Sequence, residues 1–144
     1  MTRQKITTFL WFDSQAEEAA NFYVSLFKNS HVTSVNPMIV TFDLVGVPYI
    51  ALNGGPMYKF NEAISLSVDC ADQAEVDDLW EKFTSNSGSP GKCGWLKDKY
   101  GLSWQIVPSV LSKLLSDPSG RVMQAMLQMS KLEIQKLQDA YDGR

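Results

Sequence analysis

Few residues in this chain carry side chains suited to chemistry, and they are scattered. His31 is the only histidine. Cys70 and Cys93 lack metal-site spacing, and Cys93 sits beside Gly94-Trp95 with no histidine neighbour in sequence. Neither reads as a nucleophile, and a buried free cysteine is the default. Asn53-Gly54-Gly55 could turn backbone N–H groups toward an anion, but these residues also make an ordinary turn. That leaves Glu62, a carboxylate at a strand start, and Gln105, which alternates with Trp104 and so faces the other side of its strand. Taken alone, Glu62 reads as a solvated carboxylate and Gln105 as a hydrogen-bonded sheet residue. Leu102, Trp104 and Ile106 make one apolar face, suited to packing under a helix.

The elements that must position these residues repeat. Ile6 to Phe27 reads ITTFLWFDSQAEEAANFYVSLF, and Glu62 to Phe83 reads EAISLSVDCADQAEVDDLWEKF. In each, a strand ends in Asp (Asp13, Asp69), a Gln-Ala-Glu triplet follows, and an aromatic (Phe22, Trp80) comes five residues after that Glu. The offset is 56 residues at the Asp and 58 at the triplet, because the second copy has two extra turn residues. Internal repetition of this kind governs the fold expectation. Both helix starts carry a capping box, Ser14 with Glu17 and Asp72 with Glu75. Apolar residues then recur at helical spacing: Ala16, Ala19, Ala20, Tyr23 and Phe27, then Val76, Leu79, Trp80 and Phe83.

Residues 5–12 read as a strand apolar, and therefore covered, on both faces. A helix over 15–27 follows, then a short strand at His31–Val35 broken by Asn36-Pro37. Met38–Leu44 and Pro48–Leu52 form a hairpin about Val45-Gly46. In the second copy Ser85–Gly91 reads as a polar loop. Lys92–Lys97 and Leu102–Val107 read as strands about Asp98-Lys99-Tyr100-Gly101. From Asp13 to Leu52 is 39 residues and from Asp69 to Ile106 is 37, so the period holds through each unit.

With 144 residues, 44% hydrophobic and 20% charged, the chain can bury a core and is not disordered. A net charge of −3 with no basic cluster argues against nucleic-acid binding. No apolar run reaches membrane-spanning length, and the N-terminus lacks a signal-peptide pattern. Two free thiols fit a reducing cytoplasm.

Beyond Pro108 the chain is helical. Ser109 can cap a short helix through Leu115, Asp117-Pro118 opens a second, and Ser130 with Glu133 makes a third capping box. This tail carries Leu111, Leu114, Leu115, Val122, Met123, Met126, Leu127, Met129, Ile134, Leu137 and Tyr141. That surface must pack somewhere, at about 1.5–3 kcal/mol per large side chain buried. A dimer interface is the expected place, with the chain's own sheet as the alternative.

The stretches FLWFDSQAEEAANFY, ALNGGPMYKFNEAISLSVDC, CGWLKDKYGLSWQIVP and RVMQAMLQMSKLEI resemble the PhnB-like branch of the vicinal oxygen chelate superfamily. That superfamily includes glyoxalase I, extradiol dioxygenases and bleomycin-resistance proteins; the branch is often labelled 3-demethylubiquinone-9 3-methyltransferase. The resemblance implies an α+β fold of paired βαβββ modules, about residues 5–53 and 62–107, forming one domain over 1–108. The helical extension of 109–144 lies outside it. It further implies a homodimer and a small-molecule cavity. The segment between the second and third strands is shortened here, reshaping one cavity wall. The family's Gly-Gly-Pro-His motif reads Gly-Gly-Pro-Met, at Met57.

Superfamily enzymes hold a divalent metal with one residue at the start of the first strand and one on the last strand of each module. Carried over by position, these fall at Ile6 and about Ala51, then at Glu62 and Gln105. Two candidate ligands do not make a metal site, so no metal or other cofactor is expected. The candidate ligand-binding residues are Glu62, Gln105 and Ser103. The expected function is a non-catalytic small-molecule binder, cytoplasmic, with no nucleic-acid or membrane partner. The alternative is a metal-free enzyme of the superfamily with Glu62 as its general base. The methyltransferase label lacks support, because no Gly-rich strand-to-helix turn of a doubly wound nucleotide domain is present.

Overall fold

A computed structural model describes residues 4–144. The chain forms two compact units, one ending at Phe60 and the next beginning at Asn61.

In the first unit, β1 (Thr8–Phe12), α1 (Ala16–Leu26), β2 (His31–Val35), β3 (Ile39–Leu44) and β4 (Val47–Asn53) follow in chain order. Their sheet runs β1-β4-β3-β2, with β1 parallel to β4 and the other pairs antiparallel. Alternation sends Leu10, Phe12, Val40, Phe42, Leu44 and Ala51 to the face under α1. The helix answers with Ala16, Ala19 and Ala20, small residues that let it sit close to the strands, and with Tyr23 and Leu26, which fill the space beside them. Among the described residues no helix of the unit covers the other face, where Trp11 is partly shielded by Tyr58 and the Gly54-Gly55 loop. Phe9 is 56% exposed, against the expectation of a strand buried on both sides, because one helix covers one face.

The hairpin turns as expected at Val45 and Gly46, both at positive φ (48° and 85°), the geometry of a type I′ turn. The cap of α1 differs from the expected box. Ser14 does not cap it; Asn53, at the end of β4, accepts from the Ala16 N–H at 2.8 Å, and its own amide donates to the Pro37 carbonyl. A side chain held rigidly by β4 reaches the orphan donor that a local serine was expected to satisfy.

The second unit repeats the order. β5 (Ser65–Cys70), α2 (Gln73–Ser85), β6 (Ser89–Pro90), β7 (Trp95–Lys97) and β8 (Ser103–Pro108) form a sheet ordered β5-β8-β7-β6, with β5 parallel to β8. The βαβββ duplication is therefore present with one strand order in both copies. Here the capping box forms: Asp72 accepts from the Glu75 N–H, and the Glu75 carboxylate accepts from the Ala71 N–H. Val76, Leu79 and Phe83 of α2 pack toward Leu96, Trp104 and Ile106, with the Phe83 and Trp104 rings 4.9 Å apart.

Two expected boundaries move. The polar loop after α2 contains the two-residue strand β6. Residues 92–95, read as strand, are a tight turn: Cys93 and Gly94 take φ of 59° and 86°, and the Trp95 N–H donates to the Lys92 carbonyl. The β7–β8 hairpin is held by Asp98. This buried carboxylate accepts from the Tyr100 and Leu102 N–H groups and from the Trp104 indole.

The tail belongs to this second unit. It forms α3 (Leu111–Leu114), α4 (Arg121–Leu127) and α5 (Ile134–Asp142). Leu111, Leu114, Val122, Met129, Leu132 and Leu137 bury one another, with Val107 of β8 against the cluster. The surface expected at a dimer interface is thus largely consumed at home; Met123 and Leu127 stay exposed. Nor does the Ser130–Glu133 box form. The α5 start is capped from α2, where the Gln73 amide oxygen accepts from the Ile134 N–H at 2.7 Å. Asp117 does cap its turn, accepting from the Ser119 and Arg121 N–H groups, but the helix begins only at Arg121.

Candidate functional site

Strand pairing decides which side chains share the face away from α2. Ser103 pairs with Ser65 and with Lys97; Gln105 pairs with Ser67 and with Trp95. Those six residues lie on one face of the second sheet. A hollow of about 260 Å³ opens there, lined by Glu62, Ser89, Pro90, Gly91, Trp95, Leu96, Lys97 and Ser103. Ser103 is 1% exposed, and its Oγ has no hydrogen-bond partner among the described residues. A buried hydroxyl without a partner is uncommon, because desolvation without compensation costs about 1–3 kcal/mol.

Glu62 lies in the turn before β5 rather than in a strand. It is solvent-exposed and ion-paired with Lys97. The Lys97 ammonium holds its carboxyl below the usual carboxylate range, first by hydrogen bonding and then by charge. Gln105 shares the face but does not line the hollow; its amide donates to Ser65 Oγ at 3.0 Å. Of the three sequence candidates, Glu62 and Ser103 therefore meet at one cavity and Gln105 lies beside it. Lys97 and Trp95 were missed. Counting outward from an Asp98–Gly101 turn pairs Lys97 with Leu102; the Asp98 N–H donates to the Leu102 carbonyl, so the turn closes one residue later and Lys97 pairs with Ser103.

The donor set can be tested against the divalent metal that the superfamily implies. In the first module Trp11 pairs with Leu52, as Ser67 pairs with Gln105 in the second. The residue corresponding to Gln105 is thus Leu52 and not Ala51, which faces α1 and is fully buried. Neither could ligate. Ile6 is 87% exposed and apolar. Glu62 is engaged by Lys97 and Gln105 by Ser65. Among the described residues no three His, Cys, Asp or Glu side chains group to hold a metal. The residues present do not fit that ion.

The anion nest considered at Asn53-Gly54-Gly55 is also spent. The Gly54 and Gly55 N–H groups donate to the Phe12 and Asp13 carbonyls, and the Gly55 carbonyl accepts from the Trp11 indole. Both cysteines are free. Burial, with Glu75 and Asp69 nearby, pushes the Cys70 thiol up to about 12, which makes it inert at neutral pH.

Residues 4–107 match the family model described as 3-demethylubiquinone-9 3-methyltransferase. The chain belongs to this family. The PhnB protein of Bacillus cereus is 34% identical, with a TM-score of 0.68, covering 73% of this chain and 99% of its own. A glyoxalase-related enzyme from Fulvimarina pelagi is similar at 15% identity and a TM-score of 0.53, covering 73% of this chain and 88% of its own. The fosfomycin resistance protein FosX of Listeria monocytogenes shares the fold at 12% identity and a TM-score of 0.56, covering 78% and 98%. No curated protein matches. The family's fold is thus glyoxalase/bleomycin-resistance-like, and its matched region ends where the helical tail begins. Among the described residues no helix is long and apolar enough to cross a membrane.

Proposed function

We propose that the chain is a small-molecule binder without a complete metal site, and that its ligand occupies the hollow on the open face of the second sheet. The observation that carries this reading is the unpartnered Ser103 Oγ, buried at the floor of a cavity whose rim is a charge pair. A hydroxyl kept dry without a partner costs stability, and a ligand oxygen is the partner that offsets it. The hollow holds about nine waters' worth of volume, below the ~300–1,000 Å³ of drug-sized sites. Trp95 and Pro90 supply an apolar wall, and Glu62 and Lys97 cancel each other's charge. A compact, uncharged, apolar-bodied molecule with one hydrogen-bonding oxygen fits this chemistry.

The enzyme alternative is less well supported. A general base works best with a proton affinity near the working pH, and Lys97 moves Glu62 the other way. The reading also includes a homodimer in the cytoplasm. Exposed Phe9, Met57 and Tyr58 favour the first, and the free thiols favour the second.

Benzyl alcohol is a suitable probe. Titrated into labelled protein, it should shift the amide signals of Ser103, Leu96 and Lys97 and the Trp95 indole, and Ser103→Ala should weaken it about fivefold to tenfold, the worth of one hydrogen bond. Shifts elsewhere, or equal affinity in Ser103→Ala, would overturn the site.

A further inference from the structure

We infer that the tail segment Met129–Leu132 is the positioning element of this hollow, acting through the Lys92–Trp95 turn. The inference rests on the reading of the hollow as a binding site. The segment lies outside residues 4–107, the region that matches the family model.

The turn is poorly held by its own residues. Cys93 takes a left-handed φ of 59°, which crowds the Cβ of a non-glycine residue against the following carbonyl. Its only internal bond among the backbone pairs is Trp95 N–H to the Lys92 carbonyl, at 3.0 Å. The Gly91 N–H donates to the Trp95 carbonyl and the Ile106 N–H to the Gly94 carbonyl, both at 2.8 Å, and the tail takes up the N–H groups at the apex of the turn. The Met129 carbonyl accepts from the Cys93 N–H at 2.9 Å and the Ser130 carbonyl from the Gly94 N–H at 2.8 Å. Ser130 Oγ donates to the Gly91 carbonyl. Leu132 presses on the turn closely enough that a Cβ on Gly94 would stand 3.0 Å from its Cδ1. Gly91, just before the turn, and Trp95, its last residue, both line the hollow.

The clamp is itself anchored on α2. The Gln73 amide donates to the Leu132 carbonyl and accepts from the Ile134 N–H, and Lys131 pairs with Asp77 at 2.9 Å. Gln73 and Ser130 touch no part of the hollow directly except the Gly91 carbonyl. They are positioning residues, and their loss changes where Trp95 stands rather than what the hollow offers.

Ser130→Ala in the full chain tests this. Amide exchange at Cys93, Gly94 and Trp95 should quicken about tenfold, while exchange in β5 and α2 and the urea midpoint stay close to wild type. Benzyl alcohol affinity should fall about threefold to tenfold, and Ser130→Thr, which keeps the hydroxyl, should restore both. Gln73→Ala should act in the same direction. Turn amides unmoved by Ser130→Ala would overturn the clamp, as would loosened amides with unchanged affinity. If wild-type protein fails to bind benzyl alcohol, the reading of the hollow fails instead. The clamp then stands or falls on the turn amides and the Trp95 indole signal alone.

Discussion

On the open face of the first sheet Trp11 is the register partner of Leu52; at the same place in the second sheet Ser67 partners Gln105. One pair further along each strand, Phe9 with Ile50 corresponds to Ser65 with Ser103. Two modules of identical strand order have thus kept their helix-covered faces apolar and let the opposite faces diverge at these pairs, aromatic and aliphatic on β1 and β4, hydroxyl and amide on β5 and β8. The covered face must stay apolar because it is where each module buries its core. The open face is not needed for folding in that way, so its chemistry is free to carry a ligand. The hairpins diverge similarly. The first relies on a strained Val45, the second on a buried Asp98 that serves three donors.

The largest effect should come from the second hairpin. Asp98→Ala leaves two backbone N–H groups and the Trp104 indole without their acceptor and should cost about 3–5 kcal/mol in urea unfolding. A loss below 1 kcal/mol would mean the carboxylate is dispensable and the contrast between hairpins is empty. Next is alkaline lability of the second module. Below pH 9 the Cys70 thiol is protonated in both folded and unfolded chains, so it gives no pH dependence. Above pH 9 the unfolded chain releases the proton while the folded chain holds it until about pH 12, so stability falls across that window. The loss is at most about 4 kcal/mol, and Cys70→Ala should flatten it.

In the first module, Gly54→Ala would place a Cβ 2.4 Å from the Trp11 ring, which the indole bond to Gly55 holds in place. A loss of about 1–3 kcal/mol is expected, read as a lower thermal midpoint; an unchanged midpoint would show the Trp11 ring to be mobile. Two smaller gains complete the comparison. Ser103→Ala should stabilise by about 1 kcal/mol by removing an unpartnered hydroxyl, while weakening the probe. Val45→Asn should stabilise by about 1 kcal/mol, since asparagine tolerates the left-handed position that a β-branched residue resists. If Ser103→Ala destabilises instead, the hydroxyl has a partner in solution and the contrast between the two open faces loses its functional meaning.

Much of the fold was legible because it is written at short range. The Asp72–Glu75 box, the Val45-Gly46 turn, the Asp98–Gly101 turn and the alternation of β3 each depend on residues within a few positions of one another, where chain geometry leaves little choice. Repetition of the Asp and Gln-Ala-Glu signals then made the second module readable from the first. The failures share a cause. Ser14 and Ser130 were well placed to cap α1 and α5, but Asn53 and Gln73, 37 and 61 residues from the donors they serve, satisfied those N–H groups instead. An orphan N–H accepts any oxygen in reach, and only the folded chain determines which oxygen arrives.

The site divides in the same way. By itself the sequence determined that Ser103 and Gln105 lie on the polar side of a strand, that Ile6 cannot ligate a metal, and that the tail is too apolar to stand in water. Tertiary structure decided that Lys97 meets Glu62, that Ser103 is buried without a partner, and that the tail closes on its own module to grip the turn beside Trp95. Side-chain alternation is a property of the local backbone. Burial and charge pairing are properties of what the rest of the chain brings to the same place.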